Sequence, residues 1–233
     1  MEPTVRRFTF EREDGPVTES RELVSIRAGD VRLEGELASS RTGRGLVIFA
    51  HGSGSSRHSP RNRFVAQALR TQGRVATLLF DLLSAGEGEL DARTGHLRFD
   101  IDLLAERLVA VTDWALARRP ADATHIGYFG ASTGAAAALV AAAARPDRVA
   151  AVVSRGGRPD LARGSLERVH APTLLIVGGE DPTVAELNRD AMKYLHAETR
   201  LDIIDRASHL FEEPGALDEA ARRAAGWFQR FFV

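Results

Sequence analysis

Three side chains carry the chemistry this sequence could perform: Ser132 in GYFGASTGAA (127–136), Asp181 in GEDPTV and His209 in RASHLF. A serine hydroxyl is a weak nucleophile near neutral pH. It attacks a carbonyl only when a base takes its proton, and that base needs an acid to fix its tautomer. Gly130-Ala131-Ser132-Thr133-Gly134 fits G-x-S-x-G, with an apolar run before it and a helix-forming alanine run after it. In a nucleophile elbow the serine occupies a strained strand-to-helix turn, so the positions two residues to either side must lack bulk. The plain alternative is a glycine-softened helix entry capped by serine. Asp181 follows the apolar run TLLIVG and His209 follows RLDIID, which gives the order serine, acid, histidine at strand ends. Asp160, after VAAVVS, is the second candidate for the acid.

Acyl chemistry also needs donors for the oxyanion. The Thr133 N–H, at the amino end of the alanine helix, is one expected donor, helped by the helix dipole. The other is expected after LVIFA, in His51-Gly52-Ser53: the Ser53 N–H, with Gly54 as the fallback. His51 precedes the serine, against the order above, and is expected to hold loop backbone. Gly52, Gly54 and Arg57 are expected to touch substrate. Arg57, His58, Arg61 and Arg63, with Arg155 and Arg158, could steer an anionic substrate. The competing expectation pairs them with acids on a loop after VATLLFD: Glu87, Glu89 and Asp91.

The elements that must position these residues are legible as patterns. ELVSIRAGDVRLEGELA alternates apolar and polar residues on both sides of Gly29-Asp30 and predicts a hairpin. From Leu46 onward the runs at 46–50, 75–80, 125–129, 149–154, 173–178 and 200–205 are continuously apolar or nearly so. Separated by helical stretches, they predict a mainly parallel sheet with helices on both faces. One helix opens at Ser59-Pro60 and ends at Gly73; a second spans about Arg98 to Arg118, before Pro120. The alanine run is a third, stopped at Arg145-Pro146, and the last covers about Ala216 to Phe232. Residues 1–20 read as an arm or short edge segment, with a strand around Phe8 to Phe10, and 21–233 as one domain. Only about twenty residues, Arg155 to Pro172, connect two of the strands, enough for a loop and one short helix. An open pocket without a cap domain follows from that.

With 233 residues, 44% hydrophobic and 27% charged, the chain has an ordinary globular composition. A formal net charge of −1 argues against nucleic acid or an anionic membrane as the main partner. Cysteine is absent, which excludes thiolate chemistry and disulfides. No apolar stretch approaches a membrane span or a signal-peptide core, so a cytoplasmic location is the expectation. No histidine pair or acid cluster has metal-ligand spacing, and no metal or organic cofactor is expected. A homo-oligomer is left open.

HGSGSS, GASTG, GGEDPTV and ASHLF, in that order from about Leu46 to the C-terminus, resemble the motifs of the α/β-hydrolase superfamily. Within it the chain is most similar to the small dienelactone-hydrolase-like group. It departs from that group's namesake in carrying serine, not cysteine, as nucleophile. The resemblance implies an α/β-hydrolase fold and favours a general serine esterase acting on a small-molecule ester over lactone opening. An acyltransferase, thioesterase or perhydrolase on the same triad is the alternative. Gly127, Gly130 and Gly134 also suggest a dinucleotide-binding turn for NADP, but the next strand has no acid at its end and the placement of Asp181 and His209 goes unexplained. HGSGSS lacks the lysine of a phosphate loop. A non-enzymatic binding protein on this fold is the remaining rival.

Overall fold

The computed structural model describes residues 7–9, 20–39, 45–118 and 125–232. Three strands, β1 (Arg7–Thr9), β2 (Ser20–Ala28) and β3 (Val31–Ser39), form an antiparallel edge. β2 buries Val24, Ile26 and Ala28 and turns the alternate residues outward, the period of a strand with one covered face. The short edge strand is therefore present at Arg7–Thr9, whereas Phe10, like Pro120, lies outside the described residues.

The continuously apolar runs become the sheet's interior. β4 (Leu46–Ala50), β5 (Ala76–Phe80), β6 (Ile126–Ala131) and β8 (Thr173–Gly178) are buried at every position, and β7 (Val149–Arg155) at all but one. With β9 (Thr199–Ile204) they complete a nine-stranded sheet in the order β1-β2-β3-β5-β4-β6-β7-β8-β9. All pairs from β5 to β9 are parallel, while β3 meets β5 antiparallel. A fully apolar strand requires cover on both faces, and the helices supply it. α3 (Ile101–Arg118) and α4 (Thr133–Ala144) pack Leu108, Val111 and Leu139 on the face of Leu46, Ile48 and Tyr128. α1 (Pro60–Thr71) and α6 (Ala216–Phe231) pack Leu69, Ala221 and Phe228 on the face of Val47, Phe49 and Phe129.

Because β4, β6, β7, β8 and β9 are parallel neighbours, the loops leaving their carboxyl ends share one rim. β4 is where the strand order reverses, with β5 on one side and β6 on the other. Ligands of open parallel sheets bind at such a switch point. No cap domain interrupts the described residues: β7 and β8 are bridged by a segment whose only regular part is a 3-10 helix, Pro159–Arg168.

Two helices lie where no helix was expected. α2 (Ala85–Thr94) occupies the stretch taken for a loop holding Glu87, Glu89 and Asp91. Its Ser84 hydroxyl accepts from the Glu87 N–H, the Glu87 carboxylate accepts from the Ser84 N–H, and Gly95 closes it in the left-handed region. Gly86 and Gly88 had blurred its apolar period. α5 (Pro182–Ala191) starts at Asp181, whose side chain caps it, with proline in the first turn.

α4 lies close against the sheet because its first turn has no side chain in the way. A Cβ on Gly134 would stand 2.2 Å from the Ala50 carbonyl oxygen and 2.4 Å from that of His51. Backbone cannot yield as a side chain does, so Gly134→Ala should lower stability by about 1–3 kcal/mol or more, read as a reduced urea midpoint. An unchanged midpoint would mean that the helix is free to slide.

Candidate active site

β6 runs two residues past Phe129, so the chain enters Ser132 straight from the sheet and leaves it as α4. Ser132 has φ 51° and ψ −120°, a conformation that costs a residue with a Cβ about 1–3 kcal/mol. Its N–H donates to the Arg155 carbonyl at 3.2 Å, and its own carbonyl accepts from Ala135 at 3.1 Å and Arg158 at 3.2 Å. A Cβ on Gly130 would stand 2.4 Å from the Ala135 Cα, so both flanking glycines are required by close approach. Neighbouring loops thus hold the turn from both sides.

The loop after β4 reaches the same spot. A Cβ on Gly52 would stand 3.2 Å from the Ser132 Cβ, so backbone of this loop faces the serine. Ser55 N–H bonds the Gly52 carbonyl at 3.2 Å, and Gly54 has φ 69°, which makes Gly52–Ser55 a turn with its positive φ at the third residue. Ser53 occupies the second position of that turn, and Thr133 begins α4, where amides lack helical partners. His51 braces the loop. Leu82 N–H donates to its Nε2 at 3.1 Å, which leaves the proton on Nδ1, and Nδ1 bonds the Gly52 carbonyl at 3.0 Å.

His209 and Asp181 meet at the rim formed by β8 and β9. The His209 Nδ1 lies 2.7 Å from Asp181 Oδ2, and the other oxygen of that carboxylate accepts the Val184 N–H at 3.4 Å. The acceptor carboxylate assigns the proton to Nδ1 and leaves Nε2 free to accept. The ring lies against Gly156: a Cβ there would be 3.5 Å from its Cε1 and Nδ1. Since Ser132 is bonded to Arg155, the preceding residue, serine and imidazole flank one short piece of backbone. Among the described residues the Ser132 hydroxyl makes no hydrogen bond to the ring. In unliganded sites this contact is commonly long and tightens when substrate is present.

The turn carrying His209 is held from several directions. Phe211 N–H bonds the Ser208 carbonyl at 3.2 Å, and Ser208 N–H donates to Glu213 at 2.9 Å, which holds the Glu213 carboxyl below its usual range. Phe211, buried at φ 58°, receives the Arg155 guanidinium 5.6 Å from its ring centre. Glu213 and Gly156 were not singled out from sequence. The paired glycines 156–157 after a strand were the available signal for one, and nothing local marks the other.

The arginines are mostly paired, but not with the acids expected. Arg57 ties to Asp81 through both its side chain and its N–H, Arg61 to Glu212 at 3.1 Å and Arg63 to Glu36 at 2.9 Å. Glu87 takes Arg107 and Asp91 takes Arg98, each at 2.6 Å. Asp160 is held by Arg158 at 2.7 Å and leaves the histidine to Asp181. Arg155 differs. It is buried with no carboxylate partner among the described residues, and burial, then the nearby Arg61, pushes its pKa down to about 10.

A cavity of about 460 Å³ opens beside these loops, lined in part by Gly52, Ser53, Gly54, Arg57 and Thr133. Among the described residues no three His, Cys, Asp or Glu side chains gather as metal ligands, and no helix is long and apolar enough to cross a membrane.

Burial lowers the His51 pKa from its ordinary 6.5, against weaker raising contributions from the Gly52 carbonyl and Asp81. A histidine with a depressed folded pKa stabilises the fold fully above its unfolded value. That contribution fades as pH falls below 6.5 toward the folded pKa. The melting temperature should therefore drop between pH 7 and 5, and less steeply in His51→Gln; parallel profiles for the two proteins would remove His51 from this role.

A family model described as the α/β hydrolase fold matches residues 45–169. A dienelactone hydrolase from Anabaena variabilis is 57% identical, with a TM-score of 0.87 over 91% of this chain and 98% of that one. Est1E from Butyrivibrio proteoclasticus, 16% identical, shares the fold at a TM-score of 0.74 over 89% of this chain and 98% of that one. Two curated Mycobacterium tuberculosis proteins, provisionally named phosphoribosyl transferases, are 53% identical over 207 residues, 89% of this chain and 46% of theirs. The chain thus spans about half the length of those relatives. With an elbow serine on this sheet and these matches, the chain belongs to the α/β-hydrolase family, in its dienelactone-hydrolase-like group.

Proposed function

We propose that this α/β hydrolase is a serine esterase that cleaves small carboxylic esters through an acyl-enzyme. Ser132 Oγ attacks the ester carbonyl carbon while His209 Nε2 takes its proton. Asp181, bonded to Nδ1, keeps that tautomer and balances the imidazolium that forms. The oxyanion is received by the amides of Thr133 and Ser53. His209 then returns the proton to the departing alkoxide, and the C–O bond breaks. A water, deprotonated by the same nitrogen, attacks the acyl-enzyme, releases the acid and restores the serine. The backbone of Ser132 carries this reading: a serine held at positive φ between sheet and helix, at an energetic cost, on the same sheet rim as a histidine–carboxylate pair. The histidine side chain is 40% exposed, which favours water as the acyl acceptor.

The curated relatives carry phosphoribosyl transfer in their names, and this chain matches 46% of their length. The elbow, the histidine and the aspartate serve acyl chemistry.

Ser132→Ala should lower p-nitrophenyl acetate turnover by about a thousandfold with the melting temperature retained. A fluorophosphonate should label the wild type at Ser132. Near-normal turnover in the variant, or unlabelled wild type, would end the proposal. Asp181→Asn should cost orders of magnitude in kcat while Asp160→Asn costs little. The reverse result would move the acid to Asp160.

A further inference from the structure

We propose that the 460 Å³ cavity beside the loop after β4 is the acyl pocket of this esterase, that it takes a neutral acyl group of medium size, and that Gly88 on α2 sets its depth. This rests on the serine-esterase reading above. In that reaction the leaving oxygen must come within reach of His209 Nε2, so the alcohol departs on the imidazole side. The cavity has no wall from the histidine loop. It is walled by Gly52, Ser53 and Thr133, and none of Gly156, Asp181, His209 or Leu210 lines it. The substituent that extends into it is therefore the one bonded to the carbonyl carbon. The alcohol passes over His209 and Leu210, exposed at 40% and 41%.

The wall specifies the acyl group's chemistry. Leu82, Leu83, Ala85 and Leu104 give it an apolar floor. Among the described residues its two cations are already spent: Arg57 on Asp81, and Arg98 on Asp91 through a 2.6 Å ion pair plus bonds to the Asp91 Oδ1 and carbonyl. Arg98 also closes the wall toward the oxyanion loop, its Nη1 3.5 Å from where a Gly54 Cβ would stand. Glu34 lines the cavity with no ion pair among the described residues, so the wall carries net negative charge. Among the described residues an anionic acyl group would meet carboxylates and no free cation; a neutral one meets no such penalty.

Gly88 offers a clean way to change the depth. It sits mid-helix, lines the cavity, and has nothing within 4 Å of an added Cβ. Gly86, two residues earlier on the same helix, is equally open but does not line the cavity. Both accept a side chain without strain, so Gly88→Leu and Gly86→Leu should each melt no lower than the wild type.

The test measures kcat/KM for p-nitrophenyl acetate, hexanoate and hemisuccinate, and for acetates of graded alcohols, in the wild type and both variants. Gly88→Leu should lower the hexanoate-to-acetate ratio by about tenfold or more, and Gly86→Leu should leave it as in the wild type. The wild type should prefer hexanoate to the anionic hemisuccinate. An unchanged ratio in Gly88→Leu, an equal shift in Gly86→Leu, or a shift confined to the alcohol series would each overturn the acyl assignment while leaving the esterase standing. If the wild type cleaves none of the esters and the fluorophosphonate leaves Ser132 unlabelled, the esterase reading falls, and this inference with it.

Discussion

Ser132 is a residue with a Cβ held where the backbone resists one, and much of the surrounding architecture exists to keep it there. The strain persists because its surroundings leave the turn no alternative. β6 delivers the chain through Gly130, α4 carries it away through Gly134, and both pass so close to neighbouring backbone that any side chain would collide. The amide of the serine is tied to β7 and its carbonyl to the turn that follows β7. The alanines that follow in α4 are buried almost throughout, with Leu139 the larger group packed among them.

The histidine turn obeys a different logic. Charge and ring contacts add to close backbone packing here: Glu213 on the Ser208 amide, Arg155 over Phe211 and Asp181 on the imidazole, with the Ala207 carbonyl oxygen 2.2 Å from where a Gly178 Cβ would stand. Arg155 stands out among these. A buried guanidinium with no carboxylate partner among the described residues is costly, and here its backbone carbonyl anchors the serine while its side chain supports the turn of the histidine. One residue at the end of β7 thus touches both halves of the constellation.

Much of this was legible in the sequence, and the remainder has identifiable causes. Continuous apolar runs marked the covered strands because a parallel sheet leaves no polar alternation, and GASTG marked the elbow because sterics at the turn dictate its glycines. Asp181 and His209 could be assigned to one rim because each lies in the loop that leaves a strand, β8 ending at Gly178 and β9 at Ile204. α2 and α5 were hidden: two glycines diluted the period of one, and the Asp-Pro that opens the other also fits an ordinary turn. The arginine pairings could not be read at all. Arg57 finds Asp81 twenty-four positions away and Arg61 finds Glu212 across the fold, so those contacts exist only once the strands have been ordered.

The carboxylate of Asp181 faces two ways, one oxygen toward an imidazole and the other toward the opening amide of α5. Removing it outright would confound two losses, an unmoored helix and an undirected ring. An amide in its place keeps the oxygen that the helix needs and turns an NH₂ toward the ring, which separates support from electrostatics. The proton balance of the site and the seating of a surface helix are thereby linked through three atoms, so any ligand that perturbs one should be felt by the other.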